Sequence, residues 1–268
     1  MKQSPIGILD SGFGGLTVMN AVKDLMPHEN IIYFGDTANL PYGNKSAEAI
    51  SSYCLKNTEF LLSLGIKLLI VACHTACTAT YETVEKNLPI PIVGVVEPSI
   101  SLLHMFSKKG KIALLGTRRT IQSGVYQGLI ADKIPNCEIT SIACPLFVPI
   151  VEEGYADHPI ADSIVKEYLT PLEGKTIEAL LLGCTHFPLL RKFIQKRMGP
   201  NTILIDPALA CAKQAETILG EKNLLSDATR APSYAFYVSD DPEKFRFFGR
   251  SFFHHPMEQV LSANLILS

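Results

Sequence analysis

The chain has 268 residues, with 24 Lys and Arg against 26 Asp and Glu and a formal net charge of −2; 47% of its residues are hydrophobic and 19% charged. That apolar content excludes disorder as the dominant state, because enough apolar surface is present to offset ordering entropy. Near-zero charge argues against a nucleic-acid binder with a basic face, and no apolar run approaches the roughly 20 residues of a bilayer span.

In chain order, short apolar runs ending in Gly, Asp, Cys or Pro alternate with longer helix-like stretches. Ile6–Leu9 leads into Asp10-Ser11-Gly12, Ile31–Phe34 into Gly35-Asp36, Leu68–Ala72 into Cys73, and Ile92–Val96 into Glu97-Pro98. Between them lie amphipathic stretches such as Ala47–Leu64 and Thr78–Asn87. Continuous apolar strands separated by helices imply βαβ units and a parallel sheet covered on both faces. The same order then recurs at a near-constant offset. Lys111–Leu115 leads into Gly116-Thr117, Glu138–Ala143 into Cys144-Pro145, Ala179–Leu182 into Gly183-Cys184, and Thr202–Ile205 into Asp206-Pro207.

The fold class expected is therefore α/β, with two similar domains. Each is a mainly parallel sheet flanked by helices, and the active site lies in the cleft between them. After residue 211 a helical stretch (Ala212–Leu219), an alternating strand (Ser233–Ser239) and an aromatic-rich segment (Phe245–Phe253) do not start a third copy. They are read as returning to complete the first unit, giving domains 1–97 plus 212–268 and 98–211.

The N-terminal residues Met1–Pro5 lack the apolar stretch of a signal peptide, so a cytoplasmic location is expected. The seven cysteines are then free thiols rather than a disulfide frame. In parallel α/β sheets, functional groups collect beyond the C-terminal strand ends. Here those are Asp10, Ser11, Asp36, Cys73, Thr75, Thr117, Cys144, Glu152, Cys184, Thr185 and His186. Ala72-Cys73-His74-Thr75 and Gly183-Cys184-Thr185-His186 correspond between the halves, each placing a cysteine after the third strand at a helix entrance. Such a position favours a thiolate, and free N–H groups with Thr hydroxyls suit a carboxylate. Two thiols facing each other across a cleft have the geometry to take a proton from one side of a carbon and return one to the other.

A lone cysteine in such a fold is more often a small buried hydrophobe, the reading given to Cys54, Cys77, Cys137, Cys144 and Cys211. No metal is expected, because Cys73, His74, Cys77, Cys184 and His186 match no compact zinc spacing. Gly12, Gly14 and Gly15 do not keep a dinucleotide-binding order, and no P-loop Lys-[Ser/Thr] follows. A turn that brings backbone close to a small anion, with Asp10 near the reacting centre, fits better.

Seven blocks, from Gly7–Thr17 and Gly35–Gly43 through Ala72–Ala76, Gly116–Thr120, Val148–Gly154 and Leu182–Leu189 to Tyr237–Pro242, resemble the glutamate racemase family of the aspartate/glutamate racemase superfamily in order and spacing. The resemblance implies cofactor-independent interconversion of L- and D-glutamate, with D-glutamate passing to peptidoglycan, no nucleic-acid or membrane partner, and a homodimer. It implies that Cys73 takes the α-proton of D-glutamate and Cys184 that of L-glutamate. Asp10 and His186 assist the respective thiols, and Glu152 is a further acidic residue. Ser11, Pro41, Tyr42, Gly43, His74, Thr75, Thr117, Thr120 and Thr185 fall at pocket positions. His74 replaces the usual Asn, which raises two alternatives. One is an aspartate or relaxed acidic amino-acid racemase, with a charged imidazole beside Cys73. The other is a weakly active paralogue that binds a ligand or protein. The chain also lacks the N-terminal extension of family members activated by a peptidoglycan precursor, so that regulation is not expected.

Overall fold

The computed structural model describes residues 1–80, 88–107, 110–227, 229 and 231–263. Ten strands are present among them: β1 (Ile6–Asp10), β2 (Ile31–Gly35), β3 (Leu68–Val71), β4 (Ile92–Gly94), β5 (Lys111–Gly116), β6 (Glu138–Ala143), β7 (Ala179–Gly183), β8 (Ile203–Ile205), β9 (Tyr234–Val238) and β10 (Val260–Ser262). They form a six-stranded sheet in the order β10-β9-β2-β1-β3-β4 and a four-stranded sheet in the order β6-β5-β7-β8. Every pairing in both sheets is parallel.

The repeated order seen in the sequence has a direct counterpart. The order β2-β1-β3-β4 in the first sheet is the order β6-β5-β7-β8 in the second, strand for strand. Strands β1, β3 and β7 are buried along their whole length, as their unbroken apolar runs require. The late strands β9 and β10 pair onto the outer side of β2, so the tail extends the first sheet. The helix Ala208–Glu221 carries the chain back and packs on helices Leu16–Leu25 and Val96–Phe106. Helix Ala47–Ser63 matches its amphipathic stretch and is N-capped by Ser46, whose Oγ accepts from Ala49 N–H at 3.2 Å. Of the stretch expected over 78–87, the structure describes a helix His74–Thr80, and residues 81–87 lie outside the described residues.

One strand is shorter than its apolar run. The run Ile92–Val96 gives a strand only to Gly94, and a helix starts at Val96. Pro98 then sits in the first helical turn, where its missing N–H costs no hydrogen bond. The aromatic tail is mostly interior: Phe245, Phe252 and Phe253 are buried, while Phe247 is exposed.

Lys67, the charge inside the third apolar run, is also buried. Its ammonium lies 2.5 Å from Glu29 and donates to the carbonyls of Lys2 and Leu224 at 2.6 and 2.8 Å. Glu29 in turn accepts from Ser226 N–H at 2.7 Å. The cluster ties the base of β3 to the N-terminal segment and to the turn after helix Ala208–Glu221. No helix among the described residues is long and apolar enough to cross a membrane.

Candidate active site

The C-terminal ends of β1 and β3 face those of β5 and β7 across one shared cavity. Ser11, Pro41, Tyr42, Gly43, Cys73, His74 and Thr75 line it from the first half, and Thr117, Glu152, Cys184, Thr185 and His186 from the second. Asp10 and Thr120 are buried and stand behind the wall.

Cys73 directly precedes the helix His74–Thr80. Its thiol donates to Ser11 Oγ at 3.4 Å, and the Ala76 N–H reaches its sulfur at 3.5 Å. Burial pushes the thiol up to about 12, and the negative charge of Asp10 adds to the effect, against the two hydrogen bonds. Cys73 therefore keeps its proton in the free protein. Asp10 is raised as well, by burial, although the charge of His186 and the N–H groups of Gly12 and Gly15 oppose this. One Asp10 oxygen accepts from Gly12 N–H at 2.9 Å, and the other is buried without a hydrogen-bond partner among the described residues. A desolvated carboxylate with a spare lone pair is a proton acceptor beside a protonated thiol.

Cys184 directly follows β7, but no α-helix starts at once after it. Pro188 opens a 3₁₀ turn over Phe187–Leu190, and the helix proper runs Arg191–Met198. The helix-entrance symmetry with Cys73 therefore fails locally, and a different group serves this sulfur. His186 Nδ1 lies 3.8 Å from Cys184 Sγ, and its Nε2–H donates to Glu152 Oε1 at 2.9 Å. Burial pulls the imidazole down, but the Cys184 sulfur and Glu152 together outweigh it and raise it to about 10. A ring held protonated against a sulfur favours the thiolate. The cleft thus has two unlike sides, one with a protonated thiol backed by a carboxyl and the other with a sulfur backed by an imidazolium and a carboxylate.

Hydroxyls join the two halves beside the thiols. Thr75, Thr117 and Thr120 form a closed triangle, with oxygens 3.0 to 3.2 Å apart. Thr117 also caps the helix Arg118–Gln122 by accepting from Thr120 N–H at 3.2 Å. Gly43 allows the first half to come close here, since a Cβ on it would stand 2.8 Å from Thr117 Cβ. Asp36 organises the Pro41–Gly43 loop from beneath. It accepts from Tyr42 Oη at 2.5 Å, from Ser239 Oγ at 2.7 Å, and from the Asn39 amide.

His74 lies in the wall as a neutral ring. Burial pulls it down to about 3, which removes the charged form considered from the sequence. Its tautomer follows from the chain of hydrogen bonds behind it. Ser99 Oγ gives its one proton to the Val95 carbonyl at 2.5 Å, so Tyr126 Oη must donate to Ser99 at 3.3 Å. Tyr126 then accepts from His74 Nδ1–H at 2.6 Å, leaving Nε2 with a lone pair.

Leu40, Asn44, Arg118, Pro145, Val148 and Pro149 also line the cavity and were not singled out from the sequence. Leu40, Arg118, Val148 and Pro149 lie inside the quoted motif blocks and Asn44 directly follows one, which is the available signal. Pro145 falls outside those blocks, and only the tertiary fold turns it inward. Cys77 donates to the Val71 carbonyl at 3.1 Å, and Cys54, Cys137, Cys144 and Cys211 are free thiols that do not line the cavity. No group of three or more metal-ligating side chains occurs among the described residues.

Residues 16–215 match the family model described as Asp/Glu/Hydantoin racemase. The chain is 44% identical over 246 residues to a glutamate racemase of Chlorobaculum tepidum, covering 91% of this chain and 90% of that one. It is 39% identical to a glutamate racemase of Neisseria meningitidis serogroup A, with 98% of each chain covered. The crystal structure of glutamate racemase from Francisella tularensis in complex with D-glutamate superimposes with a TM-score of 0.93 at 36% identity, covering 99% of both chains.

Proposed function

The chain belongs to the Asp/Glu/Hydantoin racemase family, and on that premise we propose that it interconverts L- and D-glutamate by moving the α-proton between two thiols. The observation that carries this reading is the pair Cys73 and Cys184, which line one cavity from opposite halves, each with its own proton-handling partner. Cys184, with His186 charged beside it, is the base for L-glutamate. It takes the α-hydrogen, and Cys73 gives its thiol proton to the opposite face of the carbanion. D-glutamate leaves, Cys184 holds the proton, and Cys73 is the thiolate. D-glutamate reacts by the reverse path: Cys73 passes its proton to Asp10, the charged His186 gives its Nδ1 proton to Cys184, the Cys73 thiolate then takes the α-hydrogen, and the Cys184 thiol returns a proton to the opposite face. The electrons released at Cα spread onto the substrate carboxylate. Thr75, Thr117 and Thr185, which line the cavity, and the neighbouring backbone N–H groups can donate to that charge, with Thr120 holding Thr75 and Thr117 from behind. Ser11, Pro41, Tyr42, Gly43 and His74 shape the remaining wall.

We assign the chain to two bodies, 1–97 with 212–268 and 98–211, with the substrate held in the cavity between them. The protein is a cytoplasmic homodimer in this reading and supplies D-glutamate for peptidoglycan. Glutamate is preferred over aspartate because the relatives and the D-glutamate complex named above are glutamate racemases, and because His74 brings no positive charge to the pocket. Incubation with either glutamate enantiomer in D₂O, without pyridoxal phosphate, tests the reading. Loss of optical rotation with α-deuterium incorporation is expected. Inertness toward both enantiomers would overturn it, and turnover of aspartate alone would select the sister activity.

A further inference from the structure

His186 belongs to the second half, yet two contacts that fix its ring come from the first. The loop after β1 passes so close that a Cβ on Gly14 would stand 2.2 Å from Thr185 Oγ1, 2.6 Å from His186 Nδ1 and 2.7 Å from His186 Cε1. No side chain fits there without displacing the ring from Cys184. Gly14 is itself held, because its carbonyl accepts from both the N–H and the Oγ1 of Thr17, at 3.0 and 2.9 Å. On another side, Phe252 of the returning tail meets the imidazole edge to face, with ring centroids 5.4 Å apart. Phe252 stacks on Phe13, which stacks on Phe245, at 6.2 and 5.2 Å. Asn20 clamps its backbone by donating to the Phe252 carbonyl at 2.6 Å.

We infer that Gly14 and Phe252 are positioning residues for the Cys184 half of the reaction: the glycine gap and the aromatic ring hold the His186 imidazole between Cys184 and Glu152. Glu152 fixes one ring nitrogen, but a single hydrogen bond leaves the ring free to pivot about it. The gap at Gly14 and the face of Phe252 remove that freedom. This gives the returning tail a task beyond widening the first sheet, and it makes proton handling at Cys184 depend on closure of the two halves. On the Cys73 side a glycine also crowds the carboxyl partner, since a Cβ on Gly15 would stand 2.6 Å from Asp10 Cβ, but Gly15 and Asp10 both belong to the first half, so that seat does not bridge the two.

The inference rests on the proposed racemisation, and its test separates the two. Gly14→Ala and Phe252→Leu are compared with the unaltered protein, and retained folding is checked by thermal unfolding. The first readout needs no turnover: the ring resonances of His186 in NMR spectra of the free protein should move in both variants, while those of exposed His158 stay. The second uses glutamate deuterated at the α-carbon. Because the two enantiomers have equal energy, kcat/KM must fall equally in both directions, by about 10- to 100-fold for a ring displaced by an ångström or less. The isotope effect should nevertheless rise for the enantiomer whose hydrogen Cys184 removes, and not for the other. Unmoved His186 resonances, or isotope effects changing by one common factor, would overturn the inference. If the unaltered protein leaves glutamate unchanged, the racemase reading falls, and the resonances alone decide whether Gly14 and Phe252 seat the ring. If one variant does not fold, the other decides.

Discussion

His186 donates its Nε2–H to Glu152 over 2.9 Å, which leaves Nδ1 to face Cys184. The carboxylate can only accept, so this one bond holds the proton on Nε2 and stabilises the charged form of the ring. Glu152→Gln keeps the shape and removes the charge. Burial, the main force acting against the imidazolium, then goes unopposed on that side. The NMR titration midpoint of His186 should fall from about 10 toward the ordinary histidine range, and kcat/KM at neutral pH should fall by about 10- to 100-fold. An unchanged titration would contradict the role given to Glu152.

His74 makes a prediction about stability and its pH dependence. His74→Asn removes the partner of Tyr126, at a cost of about 1–3 kcal/mol for a buried hydroxyl that loses a hydrogen bond. The sign with pH is opposite to that for His186, whose raised value gives stability that is lost as pH rises toward about 10. Folding holds the His74 ring at about 3, against 6.5 ordinarily, so the unfolded chain binds a proton that the folded chain refuses. Stability of the unaltered protein is therefore lost as pH falls from about 6.5 toward 3, and Asn has no such loss. Denaturant midpoints should show the variant less stable at neutral pH and the gap narrowing in acid. A gap that widens in acid would mean that the ring becomes charged in the fold.

Lys67→Met separates structure from chemistry. The substitution leaves Glu29 buried without its counter-charge, which costs about 3–5 kcal/mol. The cluster lies at the opposite ends of the strands from the thiols. Thermal unfolding should drop by several degrees, and activity per folded molecule should not change. A selective loss of kcat at full stability would show that this end of β3 is coupled to the site.

The parts of this architecture that follow from chain order were legible in the sequence. Cys73 and Cys184 were found because each closes the third strand of its half, and strand ends in a parallel sheet share one edge. The relation between the halves was visible because the same strand order repeats. What depended on three-dimensional contact was not legible. Val95 and Val96 look like strand residues, but the turn into the next helix claims them. His186 was expected to assist Cys184, yet its partner Glu152 lies 34 positions away, and nothing local couples them. Pro188 was visible, but its conversion of the expected helix entrance into a 3₁₀ turn depends on how β7 ends. The charge on His74 was undecidable from neighbours in sequence, because complete burial and the Tyr126 hydroxyl decide it.

The most direct test of the two-thiol pair is racemisation of glutamate by Cys73→Ser and Cys184→Ser, followed by optical rotation and α-deuterium incorporation in D₂O. A serine hydroxyl neither releases its proton as a thiol does nor forms a stable anion at neutral pH, so each substitution removes one of the two proton-transfer groups while leaving the fold intact. Interconversion should fall to background in both variants, each judged against the unaltered protein. Racemisation at a rate near that of the unaltered protein in either variant would contradict a mechanism in which one thiol takes the proton and the other returns it.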